Sequence, residues 1–209
     1  MRLGLGTGRT ASAFLDALEP RVRRGLVVSA VCTSEATERR ARSLGITILP
    51  DTGEGLDLDI DGADEVTLEL DLVKGAGGAM VREKIVAERS RRFWVVADST
   101  KRVGRLGERA ALPIEVLRFD WAGTQRRIEA VCRLQTRLRG GPEPFISDNG
   151  NLVLDADLAG CSEPWPELAQ KLAGVPGVVG HGLFLGLATA AVISDGHGVE
   201  VLGDLEDSR

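Results

Sequence analysis

At 209 residues with 43% hydrophobic composition, the chain has the length of one large domain or of one domain with a smaller companion. It has enough apolar side chains to bury a sizeable core, which excludes global disorder and a long multidomain assembly. The longest nearly unbroken apolar stretch, residues 183–193, is far short of the ~20 residues that span a bilayer, and Met1-Arg2-Leu3-Gly4 leads directly into a glycine-rich turn with no apolar signal region, so a cytoplasmic protein is expected. The net charge of −5 comes from interspersed acidic and basic residues, whereas nucleic acid wants a concentrated basic face.

Three cysteines, Cys32, Cys132 and Cys161, and two histidines, His181 and His197, stand too far apart to suggest a disulfide framework or a zinc site. Of 26 basic residues only Lys74, Lys84, Lys101 and Lys171 are lysine, so the places where lysine is used draw notice.

In chain order, strand-like runs at 3–5, 26–31, 46–49, 56–60 and 93–97 alternate with helical patterns at 11–18, 35–44 and 78–92, the signature of βα units around a parallel sheet. Residues 65–73 alternate apolar and polar and read as an extended or hairpin-like piece. From residue 114 the texture changes to a helix at 125–133, a strand at 134–139 and a hairpin through Asp148-Asn149-Gly150, where Asn-Gly supplies the positive φ angles of a tight turn. A helix at 166–172 and a strand at 178–179 follow, and 190–193 and 199–202 return as strands to the first domain. The expected fold is α/β: a three-layer α/β/α domain with a mostly parallel sheet over 1–113 and 184–209, and a small inserted α+β, ferredoxin-like domain over 114–183.

Four loops carry chemistry. The first, Gly4-Leu5-Gly6-Thr7-Gly8-Arg9-Thr10, lets a backbone approach an anion at a helix start, although a plain strand-to-helix connection would look the same. It lacks the spacing of a dinucleotide or Walker loop. The second, Asp57-Leu58-Asp59-Ile60-Asp61-Gly62-Ala63-Asp64-Glu65, begins like a calcium loop but has Leu68 where a bidentate glutamate is required. It is either a solvated acidic strand end or a ligand site at the carboxyl end of a strand. The third, Lys74-Gly75-Ala76-Gly77-Gly78, precedes a helix bearing Arg82-Glu83-Lys84. Glu83 has apolar Ala79, Met80, Val86 and Ala87 at helical spacing, so it faces inward as a desolvated base or sits at the edge of that stripe in water. The fourth, Ala97-Asp98-Ser99-Thr100-Lys101, follows a strand with polar residues and one of the rare lysines, although a helix start capped by Asp98 or Ser99 would look the same.

Each motif alone is common, but the ordered set resembles ribose-5-phosphate isomerase of the A type. That family is marked by a Gly-Thr-Gly-Ser-Thr loop, an Asp-Gly-Ala-Asp-Glu box, a Lys-Gly-x-Gly segment with a following Glu-Lys pair, and an Ala-Asp-x-Ser/Thr-Lys box. The likeness continues through Leu112-Pro113-Ile114-Glu115-Val116, Ser147-Asp148-Asn149-Gly150-Asn151 and Pro176-Gly177-Val178-Val179. The resemblance implies a cofactor-free and metal-free interconversion of D-ribose 5-phosphate and D-ribulose 5-phosphate in the non-oxidative pentose phosphate pathway. Glu83 would be the base, Asp61 and Asp64 would bind sugar hydroxyls, and Lys74 would stand beside the oxyanion. Thr7, Gly8, Arg9, Thr10, Gly62, Ala63, Gly75, Ala76, Gly77 and Lys101 would complete the substrate contacts. A homodimer or homotetramer is implied.

Two features depart from the family. The usual leading helix with its phosphate-side lysine is not seen before the first strand, and Arg9 stands where serine is usual. A sugar-phosphate sensing domain without turnover is the alternative, and a coenzyme A transferase of similar fold a weaker one.

Overall fold

The computed structural model describes residues 1–50 and 52–206. In chain order the elements are β1 (Arg2–Leu5), α1 (Arg9–Arg23), β2 (Ser29–Cys32), α2 (Glu35–Ser43), β3 (Thr47–Ile48), β4 (Leu58–Asp61), β5 (Glu65–Val66), β6 (Leu72–Val73), α3 (Met80–Arg89), β7 (Phe93–Asp98), β8 (Leu112–Val116), α4 (Trp121–Cys132), β9 (Gln135–Leu138), β10 (Leu152–Asp157), α5 (Trp165–Ala173), β11 (Val178–His181), β12 (Leu183–Phe184), β13 (Ala190–Ser194) and β14 (Val199–Gly203). They form two compact units: Met1–Ala63 with Arg82–Lys101 and Gly186–Arg209, and Asp64–Val81 with Arg102–Leu185.

The first unit holds a seven-stranded sheet in the order β14-β13-β7-β4-β1-β2-β3, parallel except where β14 pairs antiparallel with β13. Strand alternation decides which face goes where. Leu3, Leu5, Leu58 and Ile60 pack with Leu15 and Leu18 of α1 and Ala41 of α2. Gly4, Asp59 and Asp61 therefore point to the opposite face, where Val86 of α3 lies against Gly4. A one-residue slip of β4 would drive two carboxylates under α1 and forfeit ~1.5–3 kcal/mol for each leucine exposed, so the register is strongly fixed. α2 is capped by Ser34, whose hydroxyl accepts the Thr37 amide at 3.2 Å.

The strand order reverses between β1 and β4. In an open α/β sheet such a switch point opens a crevice at the carboxyl ends of the strands. The loops after β1 and β4 lie there.

In the second unit β8, α4, β9, β10, α5 and β11 build an antiparallel sheet of order β11-β8-β10-β9, the ferredoxin-like arrangement. Its core gathers Ile114, Val116, Ile128, Leu154, Leu168 and Leu172. Glu115, fully buried in β8, accepts from Ser147 Oγ (3.0 Å), Asn149 Nδ2 (3.1 Å) and Asn151 Nδ2 (2.8 Å). The Ser147-Asp148-Asn149-Gly150-Asn151 motif is thus a structural cage around one carboxylate. A second sheet, β12-β6-β5, is antiparallel.

Boundaries differ from the sequence expectation where local geometry intervenes. The 78–92 helix begins at Met80, because Gly78 takes a φ of 79°, and ends at Arg89, because Ser90 bridges to Leu56. The 65–73 alternation is a tight hairpin whose turn places Leu70 at φ 65°. The strand expected at 26–31 starts only at Ser29.

Candidate active site

In the first unit β1 delivers Gly6-Thr7-Gly8 to the start of α1. The Gly6 amide bonds to the Ile60 carbonyl at 2.9 Å, bringing the loop against β4. A side chain at Gly6 would overlap the Asp61 carboxylate, so this approach requires glycine. Asp61, 1% exposed, accepts the Gly62 amide at 2.7 Å and the Thr7 amide at 3.1 Å on the same oxygen, Oδ1. Thr7 and Thr33 share a hydroxyl contact of 2.6 Å, and Thr37 Oγ1 donates to the Gly6 carbonyl at 2.8 Å. The loop is therefore preorganised from three elements.

Gly8, at φ 93°, occupies the N-cap of α1, and no side chain among the described residues caps that end. The first amides of the helix are open to an anion. Arg9 and Thr10 begin the helix, and Arg9 is exposed. With Ala63, Asp98, Lys101 and Asp195 they line a cleft of about 650 Å³. Its two carboxylates are engaged locally. Asp195 accepts the amides of His197 and Gly198, both at 2.8 Å, and Asp98 accepts from Thr100; these bonds hold both carboxyls below the usual range.

Glu83 lies in the first turn of α3 and is only 4% exposed. The positive end of a helix dipole favours its carboxylate, while burial disfavours it. Its neighbour Lys84 is half-buried, and burial pushes its ammonium down to about 8 against an opposing pull from Glu88.

The second unit holds Asp64, Lys74, Gly75, Ala76 and Gly77. β5 and β6 pair Glu65 with Val73, which sets Asp64 and Lys74 side by side at the end of the ladder. The Asp64 amide donates to the Val73 carbonyl at 2.8 Å, and Asp64 Oδ2 accepts the Ala76 amide at 2.8 Å. Lys74 is 3% exposed, its ammonium 5.5 Å from the centroid of the Phe184 ring. Glu65, fully buried, accepts the amides of Gly107 (2.6 Å), Arg109 (2.6 Å) and Ala110 (2.8 Å), which pins this short ladder to the 107–110 turn.

Three supporting residues were invisible to sequence reasoning: Glu65 as an anchor, Lys84 as a depressed base, and Arg139, which bonds to the Gly75 and Ala76 carbonyls from just past the end of β9. Among the described residues no cluster of three or more His, Cys, Asp or Glu is arranged to hold a metal ion, and Cys32, Cys132 and Cys161 are free thiols.

Glycine loops at a sheet switch point and a helix end with open amides make the first unit an α/β domain of the kind that offers backbone amides to a small anion. The sequence model of ribose 5-phosphate isomerase A (phosphoriboisomerase A) matches residues 29–198, and the chain belongs to that family. It is 46% identical to the ribose-5-phosphate isomerase A of Bradyrhizobium diazoefficiens, over 97% of this chain and 88% of the relative. The ribose 5-phosphate isomerase of Plasmodium falciparum superposes with a TM-score of 0.93 at 33% identity, covering 98% and 91% of the two chains. A D-ribose-5-phosphate isomerase in complex with phospho-erythronic acid superposes with a TM-score of 0.91 at 32% identity, covering 98% and 91%.

Proposed function

We propose that the chain interconverts D-ribose 5-phosphate and D-ribulose 5-phosphate by proton transfer through an enediolate, with Glu83 as the base. The observation that carries this reading is the burial of Glu83 in the first turn of α3, where desolvation and the helix dipole act on one carboxylate. In the aldose-to-ketose direction Glu83 takes the C2 proton of the open-chain sugar and returns it to C1, while a proton moves from the C2 hydroxyl to the C1 oxygen. Lys74 stabilises the oxyanion that forms between these steps. Asp61 and Asp64 hold sugar hydroxyls and assist ring opening. Gly62, Ala63, Gly75, Ala76 and Gly77 contribute backbone contacts.

Thr7, Gly8, Arg9, Thr10 and Lys101 hold the phosphate. An uncapped helix start supplies amides, and the guanidinium of Arg9 can grip two phosphate oxygens where serine could offer one hydroxyl. Phospho-erythronic acid, held by a related isomerase, carries a carboxylate that imitates the enediolate oxygens and serves here as a probe. A cytoplasmic homo-oligomer working in the pentose phosphate pathway fits the family membership, and no helix among the described residues is long and apolar enough to cross a membrane.

Turnover in D2O with EDTA present tests the reading. Proton transfer predicts deuterium at C1 of the ketose product at an EDTA-independent rate. Product free of deuterium, as a direct hydride shift would give, contradicts it.

A further inference from the structure

Arg139 follows β9 and lies far from the glycine loop in sequence, yet its Nη1 donates to the carbonyls of Gly75 and Ala76, both at 3.0 Å. The rest of the guanidinium grips Asp155 of β10: Nε meets Oδ2 at 3.1 Å, and Nη2 meets Oδ1. The ion pair is largely buried, at 17% and 11% side-chain exposure, so its geometry is held against solvent competition. The same guanidinium lies 5.7 Å from the Phe145 ring, and that ring packs on Gly78, where any side chain would collide with it.

No peptide bond in the described chain is cis. In a trans peptide the C=O and the following N–H point in opposite directions. Two consecutive carbonyls drawn to Arg139 therefore turn the amides of Ala76 and Gly77 to the other side. The Ala76 amide meets Asp64 Oδ2 there, at 2.8 Å. The Gly77 amide faces the same side, on an exposed residue.

We propose that Arg139 is the positioning residue of the glycine loop: by holding both carbonyls back it orients Asp64 and presents the Gly77 amide to an incoming oxygen of the substrate. This rests on the reading of Asp64 and Lys74 as site residues. Asp155 and Phe145 act through Arg139 by fixing its plane. A lysine cannot reproduce the arrangement, because one ammonium cannot serve two carbonyls and both carboxylate oxygens in a planar fork.

The test titrates wild type, Arg139→Met, Arg139→Lys and Lys74→Met with phospho-erythronic acid calorimetrically, reading stoichiometry and Kd separately, alongside kcat. Losing a charge-assisted pair of bonds predicts a kcat lower and a Kd higher by roughly 10- to 100-fold in Arg139→Met, with stoichiometry near that of wild type and partial recovery in Arg139→Lys. Reduced stoichiometry with unchanged Kd would mean that Arg139 only stabilises the fold and would overturn the proposal. So would a weakened Kd in Lys74→Met beside an unchanged one in Arg139→Met. If Lys74→Met also binds and turns over like wild type, the underlying site reading fails instead.

Discussion

A single oxygen of Asp61 accepts both the Thr7 amide and the Gly62 amide, tying the loop after β1 to the loop after β4 across the point where the strand order reverses. The contact is possible only because Gly6 has no side chain. Gly6→Ala forces a methyl into the carboxylate, and overpacking of this kind costs roughly 1–3 kcal/mol. We expect a lower urea midpoint together with a loss of activity in the fraction that remains folded. Wild-type activity in folded Gly6→Ala would mean that the position of Asp61 is immaterial.

Arg9 gives a prediction about affinity. Arg9→Ser restores the residue usual in the family and removes the two-pronged cation from the cleft that also contains Lys101. A remote phosphate contact contributes mainly uniform binding, so KM for ribose 5-phosphate should rise several-fold while kcat changes little. An unchanged KM assigns Arg9 to solvent.

Glu65 should govern stability. Its buried carboxylate satisfies three amides of the 107–110 turn, and Glu65→Gln turns an NH2 toward at least one of them. Leaving a donor unmet against this buried side chain costs about 1–3 kcal/mol, which denaturant unfolding would register as a lower midpoint at unchanged slope. A midpoint equal to that of wild type would show that the clamp is dispensable.

Lys84 yields a pH dependence of defined sign. Its folded pKa of about 8 lies below the ordinary 10.5, so the folded state binds this proton more weakly than the unfolded chain. The charged lysine costs stability below pH 8, and that cost disappears as pH rises toward 10.5. The lowering from 10.5 to about 8 corresponds to about 3 kcal/mol. The stability of Lys84→Met relative to wild type should therefore be greatest at pH 7 and shrink by up to that amount by pH 10.5. Parallel stability curves across this window would contradict the depressed pKa.

What could be read from the sequence were the local features. The alternation of Leu58 and Ile60 with Asp59 and Asp61 implies a strand with opposite faces, while the apolar residues around Glu83 at helical spacing left an inward or an edge position open, and the structure has it buried. The three-residue switch from strand to helix after Leu5 follows from Gly6, Thr7 and Gly8. The supports could not be read in this way, because they join residues remote in sequence. Arg139 reaches the 75–76 carbonyls, and Glu65 reaches the 107–110 amides, through tertiary geometry alone. Ser147, Asn149 and Asn151 look like a polar turn until Glu115 is found among them. Lys84 carries no sequence mark that separates a depressed ammonium from a surface one.

Glu83→Gln keeps the side chain's shape while removing its ability to take a proton, and so isolates the role of Glu83 as the base. Steady-state kinetics on the purified, folded variant should show kcat lower by ~10²–10⁴-fold, with phospho-erythronic acid still bound. A Glu83→Gln protein that turns over ribose 5-phosphate at the wild-type kcat would contradict the account.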